Sequence, residues 1–339
     1  MTEKKAKIRK TFNYLIRAVI ILLTYGFLYH QIFIENKLKD LSDTVSGVME
    51  RQDAWRLLAL MLVMMLVNWG LESLKWKVLI GKIEKVSFLK SFKAVMAGAS
   101  VSFFMPNRTG DYLGRVFILE KGNHVEGIFS TLIGSFAQII ITLSVGLFCL
   151  LSFTDHYFRL SFHIGEYMFM SLVFLVPCIV FILVLAFFNI GLLADFFSRY
   201  FPGRWDKVKQ YASVFAKYNS KELWHVLILS FLRYVVFSSQ FFILVRVFGA
   251  DVPVTEGFIL IPVIYLAMTL VPTVALVELG VRGSVSMFIF GLYFEKAGVT
   301  ASVPLLAPLA ASSLLWLINL VLPAVIGTFF VFSLKFLRK

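Results

Sequence analysis

Two stretches, FFMPNRTGDYLGRVFIL (residues 103–119) and TLVPTVALVELGVRGSVSMFIF (269–290), decide how the chain folds. Each is an apolar limb, a proline, then an acid, a glycine and an arginine, then a second apolar limb. Pro106 and Pro272 are 166 residues apart, as are Gly114 and Gly280; Asp111 to Glu278 and Arg115 to Arg282 are each 167. That spacing is about half of the 339 residues, so the two stretches read as copies within an internal repeat. Broken apolar segments at matching places in two halves are a sequence sign of a midplane binding site in transporters.

Working outward, 59% hydrophobic and 16% charged residues with a mean hydropathy of +0.83 exclude a soluble globular chain, whose surface needs about 25% charged residues. Phenylalanines, 36 of them, outnumber the 20 acids, so lipid takes the place of water around most of the chain. The same numbers exclude disordered and disulfide-rich classes. The net charge of +13 sits between apolar runs and reads as membrane orientation, with no nucleic-acid partner. Six apolar stretches with charged flanks are long enough to span a bilayer: 12–34, 54–74, 125–153, 167–193, 222–249 and 301–334. Two more, 92–119 and 257–294, are interrupted in the middle and read as re-entrant helical hairpins.

The expectation is therefore an all-α polytopic membrane protein, a single membrane domain over 1–339, with about six spanning helices and two re-entrant hairpins related as inverted repeats. The first half covers 54–153 and carries the hairpin 92–119; the second covers 222–334 and carries the hairpin 257–294. Lys4, Lys5, Lys7, Arg9 and Lys10 place the N-terminus inside, and Lys335, Arg338 and Lys339 do the same for the C-terminus. The basic run from Lys75 to Lys93 reads as a cytoplasmic loop. The stretch 194–219, rich in aromatic and basic residues and broken at Pro202-Gly203, reads as an amphipathic connector in the cytoplasmic interface.

The charges within the hairpins carry the candidate chemistry. Asp111 with Arg115 and Glu278 with Arg282 stand at i,i+4 with the acid first, which puts each pair on one helix face. Ionisable groups at membrane depth are costly and find a partner or water, and arginine suits phosphate or carboxylate oxygens. Two readings follow: the arginines receive the anionic headgroup of a lipid, or the pairs lock each hairpin shut. Pro106, Gly110 and Gly114, and Pro272, Gly280 and Gly283, are expected to make the turns. Arg108 at the first tip and Arg233 inside the fifth span are further headgroup candidates, and Arg233 has Glu72 or Glu126 as alternative partners. Asn68, Gln138, Gln240 and Asn319 read as interhelical hydrogen-bonding residues. No nucleotide, zinc-protease or nucleophile-turn motif occurs, the five histidines are scattered, and Cys149 and Cys178 lie alone in apolar runs. The expectation is no metal, no cofactor and no catalytic group.

At these residues the chain resembles the transmembrane region of lysylphosphatidylglycerol synthases, over about residues 10–335. The family's first signature, Pro-Gly-Arg-x-Gly-Glu followed by an arginine, appears as Pro106 to Asp111 and then Arg115. Its second, Gly-x-Gly-x-Arg-Glu after a proline, appears as Glu278 to Gly283 after Pro272, and LLWLINLVLPAVIG (314–327) is similar to its last span. Asn107 replaces the first motif's glycine, Asp111 shortens its acid, Glu278 stands in place of the second motif's first glycine, and Gly283 replaces its final acid. The resemblance implies a flippase-like membrane protein of the inner or plasma membrane, here a stand-alone member without the soluble aminoacyltransferase domain. It implies handling of a lipid with a polar head, a phospholipid or an isoprenoid-phosphate lipid. The alternative is a membrane subunit or scaffold for a separate lipid-modifying synthase.

Overall fold

The computed structural model describes residues 48, 52–103, 105, 109–120, 124–158, 165–189, 214–270, 275–298 and 302–331. Apolar side chains over long unbroken runs, with few helix breakers inside them, fold these residues into helices. We number them α1 (Ala54–Ile80), α2 (Phe88–Ser102), α3 (Gly110–Val116), α4 (His124–Phe153), α5 (Glu166–Phe188), α6 (Ser220–Val247), α7 (Val254–Leu270), α8 (Ala275–Lys296), α9 (Ser302–Trp316) and α10 (Leu322–Val331). A π-helical turn, Leu317–Val321, joins α9 to α10, so that the two run on as one long helix. Local chemistry sets the starts. Ser87 accepts a hydrogen bond from the Lys90 amide to cap α2, and Asn219 with Glu222 closes a reciprocal capping box on α6.

Five helical runs are long and apolar enough to cross a membrane: Ala54–Ile80, His124–Tyr157, Glu166–Phe188, Ser220–Val247 and Leu306–Val331. They coincide with five of the six expected spans; the first, 12–34, lies outside the described residues. So do most of the connector 194–219, the C-terminal cluster and both hairpin tips, with Pro106, Arg108 and Pro272. One boundary needs correcting. The second span continues to Ile80, because Glu72 neutralises Lys75 inside the helix, so Lys75 belongs to a span and not to a loop.

Side-chain bonds fix the direction of packing. Gln240 Nε2 bonds the Met61 carbonyl at 2.9 Å, Arg233 reaches Asn68 and Glu72, and Lys82 pairs with Glu222 at 2.7 Å. Position rises along α1 as it falls along α6, so the two helices are antiparallel. They are also equivalent: Ala54 to Ser220 and Phe88 to Val254 are both separated by 166 residues, the spacing of the motifs. The equivalent first helices of the two halves therefore run in opposite directions.

Each half also packs on the other in the same exchanged way. The first limb of one hairpin, α2, lies on α10, and the first limb of the other, α7, lies on α4. A glycine admits each approach. A side chain at Gly327 would strike the Met96 carbonyl, and one at Gly146 would come within 3.1 Å of the Pro262 carbonyl. Met96 and Pro262 are themselves 166 residues apart.

The hairpins differ in closeness. In the first, α2 and α3 fold back with Gly98 against Gly114 and Val101 against Gly110; a Cβ at Gly114 would lie 2.6 Å from the Gly98 Cα. At 15 and 7 residues, rising 1.5 Å each, the two limbs reach only about 22 and 10 Å, short of a bilayer core of about 30 Å.

Candidate functional site

Glu72, in the third quarter of α1, is the hub of a buried ionic network. Its Oε1 accepts from Arg115 Nη1 at 2.7 Å, and its Oε2 takes Arg233 Nη1 at 2.8 Å and Lys75 Nζ at 2.7 Å. Arg115 also donates from Nε to Asp111 Oδ1 at 2.7 Å and from Nη2 to Asp111 Oδ2, so each of its three nitrogens is held by a carboxylate. Glu72, Lys75 and Arg115 are all 5% exposed or less. Charges so placed are stable only while paired; losing one partner of such a pair typically costs about 3–5 kcal/mol.

A neutral relay extends from the network. Arg233 Nε donates to Asn68 Oδ1 at 3.0 Å and Asn68 Nδ2 to Asn319 Oδ1 at 3.3 Å. Asn319 Nδ2 in turn reaches Gln240 Oε1 at 2.8 Å. Asn319 sits in the π-helical turn, where the displaced ladder turns its side chain between α1 and α6.

The second pair is built differently. Arg282 Nη2 donates to Glu278 Oε1 at 2.6 Å, and the guanidinium lies 5.8 Å from the centroid of the Phe237 ring. Arg282 is 7% exposed, yet its Nε and Nη1 have no hydrogen-bond partner among the described residues. Unsatisfied buried donors are rare and costly in native proteins, so such a group marks a place to look for a ligand.

Both clusters face one cavity of about 690 Å³ between the hairpins and the spans α1, α4 and α6. The charged residues lining it are Glu72, Asp111 and Glu278 against Lys75, Arg115, Arg233 and Arg282, a formal excess of one positive charge. Trp69 and Trp316 also line it, and among the described residues their buried indole N–H groups have no partner, nor does the acceptor Gln138 Oε1. The cavity therefore offers spare N–H donors and positive charge, which suits an anion. No group of three metal-binding side chains gathers among the described residues.

The sequence profile of the lysylphosphatidylglycerol synthase TM region matches residues 14–327 of the chain. The chain belongs to this family. Neither a curated protein nor a solved structure is similar enough to match it. Family membership makes it a multi-pass membrane protein tied to lipid metabolism.

Against that background, the structure brings four of the sequence candidates, Arg115, Asp111, Arg282 and Glu278, to the family domain's cavity, and Arg233 joins them through Glu72. Arg108 lies outside the described residues. Two expectations are corrected. Gly280 and Gly283 are inside α8 and not in a turn, because the helix begins at Ala275, before the motif; Gly114 is likewise mid-helix in α3, and Gly110 opens that helix where it meets the Val101 carbonyl. Neither ion pair joins the two limbs of its hairpin, since Asp111 and Arg115 share α3 and Glu278 and Arg282 share α8. What ties the first hairpin down is Arg115 reaching across to Glu72 on α1. Sequence reasoning missed Lys75 and the central place of Glu72. The signal was present: Glu72 and Lys75 are i,i+3 partners at the end of an apolar run, a spacing that pairs them on one face.

Proposed function

We propose that the chain is a flippase-like lipid translocase that receives the anionic headgroup of a membrane lipid in the cavity between its two hairpins. The observation that carries this reading is Arg282, buried, facing a polar cavity within an apolar bundle, with two donors left open. Membership of a lipid-handling membrane family and the inverted halves support it, since inverted repeats around a central site are the architecture from which alternating access arises. In this reading the hairpins are re-entrant and rock against the spans, the termini are cytoplasmic, and the protein sits in the plasma membrane. It moves its lipid without transforming it, and needs no cofactor.

The test is translocation in sealed vesicles. The purified protein is reconstituted with a trace of phospholipid bearing a fluorescent tag on one acyl chain, and the fraction reached by a membrane-impermeant quencher is followed with time. The wild type should expose the inner-leaflet pool well beyond the half quenched in empty vesicles, and Arg282→Gln should return the signal to that half. Wild-type vesicles that match empty ones would sink the translocase reading and favour a scaffold for a separate synthase.

A further inference from the structure

The span that packs deepest in the bundle is the one whose backbone ladder is interrupted. In Leu306–Val331, 61% of the most apolar stretch is buried, against 39% or less in the other four spans. Part-way along it the Leu322 N–H donates to the Leu317 carbonyl, five residues back instead of four. The next residue supplies the cause: Pro323 has no N–H to return to the Asn319 carbonyl, and its ring crowds that oxygen unless the turn widens. Backbone bonds are thinned at one level, and the side chain of Asn319 spans the gap. Its Nδ2 donates to the Leu315 carbonyl at 3.3 Å and to Gln240 Oε1 at 2.8 Å, while its Oδ1 accepts from Asn68 Nδ2 at 3.3 Å. Asn68 and Gln240 belong to α1 and α6, which Gln240 Nε2 ties together through the Met61 carbonyl. The turn is therefore pinned to two helices, neither of which is a hairpin limb.

The helix holds a different hairpin on either side of that turn. Before it, α9 packs on α8, where a Cβ at Gly283, one residue past Arg282, would lie 2.5 Å from Leu309 Cδ1. After it, α10 packs on α2, where a Cβ at Gly327 would meet the Met96 carbonyl and come within 3.0 Å of the Ser100 Cβ. Contacts this close leave no room for sliding, so relative motion is taken up where the ladder is weakest. The first hairpin is in addition held to α1 through Arg115 and Glu72. We infer that Leu317–Val321 is a joint between two bodies, α10 with the anchored first hairpin and α9 with the arginine-bearing limb of the second, and that Asn319 is the latch that sets their resting angle. This rests on the reading above that the hairpins rock, and names where they do so.

Spin labels on the full-length protein in lipid nanodiscs test the joint without any lipid being moved. With Cys149 and Cys178 replaced by alanine, cysteines carry the labels at exposed positions: Leu89→Cys on α2 with Phe288→Cys on α8 across the joint, and Leu89→Cys with Phe329→Cys on α10 within one body. A turn of about 20° acting over a limb of about 15 Å carries its end about 5 Å. Asn319→Leu, which removes the latch, should shift or broaden the first distance by about 5 Å and leave the second unchanged. Pro323→Ala, which returns an N–H to the ladder, should narrow the first distribution. No change in either pair under Asn319→Leu, or the same change in both, would overturn the joint. If Asn319→Leu does not fold, hydrogen exchange of the wild type decides: the amides of 317–322 should exchange at least about tenfold faster than those midway along α9 and α10, and equal protection would overturn the joint. Wild-type vesicles that move no lipid would remove the translocase reading and leave the joint standing, whereas transport with a fixed distance between the hairpins would remove the joint alone.

Discussion

The two halves of this molecule share a topology and differ in how tightly they are shut. In the first, Gly98 and Gly114 let α2 and α3 touch backbone to backbone, and Arg115 is locked among carboxylates that include one from α1. In the second, a side chain on Gly280, the counterpart of Gly114, would meet nothing within 4 Å among the described residues, and the counterpart of Gly98 is the branched Ile264. Arg282 keeps its i,i+4 acid and has no further carboxylate bonded to it among the described residues. Two matching positions thus carry one arginine closed in by carboxylates and one with donors left open among the described residues. Symmetry of fold therefore does not predict symmetry of function, and the difference can be attacked residue by residue.

The harshest break is Glu72→Ala. It strands Arg115, Arg233 and Lys75 around an empty position, and a stability loss of about 3–5 kcal/mol is expected from removing one member of a buried network. A thermal or SDS unfolding series in detergent would read it. Glu278→Gln keeps the shape of the side chain and removes its charge beside Arg282, and should cost less than emptying the Glu72 position. Equal losses would show that the two halves are ionically alike after all.

Gly114→Ala comes next. Its methyl group would meet the Gly98 Cα at 2.6 Å and the Ala97 carbonyl at 3.0 Å, backbone on which there is no room to yield. Forcing a methyl into a packed contact costs about 1–3 kcal/mol, so the unfolding midpoint should fall and α3 should lift from α2. A midpoint equal to wild type would mean that the first hairpin is not closed as described.

Ser238→Glu sharpens the comparison from the other side, since it installs in α6 the carboxylate that α1 already has. The residue is buried near the stretch of helix that faces Arg282. Occupying the open donors should weaken headgroup binding by about tenfold, equivalent to about 1.4 kcal/mol, while the protein remains folded. Unchanged binding by a folded variant would show that Arg282 is not competing for that carboxylate.

Much of this was legible beforehand, and the residues say why. Helix class and span positions follow from apolar run length, a local property, so five spans fall where the composition puts them. The repeat was legible because proline, glycine and charge survive in register in both halves. The i,i+4 pairs were legible because a helix fixes that spacing. Glu72 as the hub was not: its pairing with Arg233 was one of two alternatives, and its bond to Arg115 spans 43 residues, a distance no periodicity carries. Lys75 was misplaced for a related reason: a lysine after an apolar run looks like a flank until the acid three residues earlier is seen to neutralise it. The helical start of α8 before its motif glycines was hidden too, since a glycine reads as a turn when its neighbours in space are unknown.

The gentlest substitution tests the openness of the second half most directly. Gly280→Ala adds a methyl group inside α8 where no atom of the described residues waits within 4 Å, so their packing offers no resistance. Alanine is a better helix former than glycine by about 1 kcal/mol, and a compatible glycine-to-alanine change stabilises by about 0.4–1 kcal/mol, largely through the unfolded chain. The unfolding midpoint should therefore rise slightly, opposite in sign to Gly114→Ala at the matching position. A fall in both variants would mean that α8 closes on a neighbour as tightly as α3 does. Opposite signs at two positions 166 residues apart would be the thermodynamic signature of one shut half and one open half in a single inverted fold.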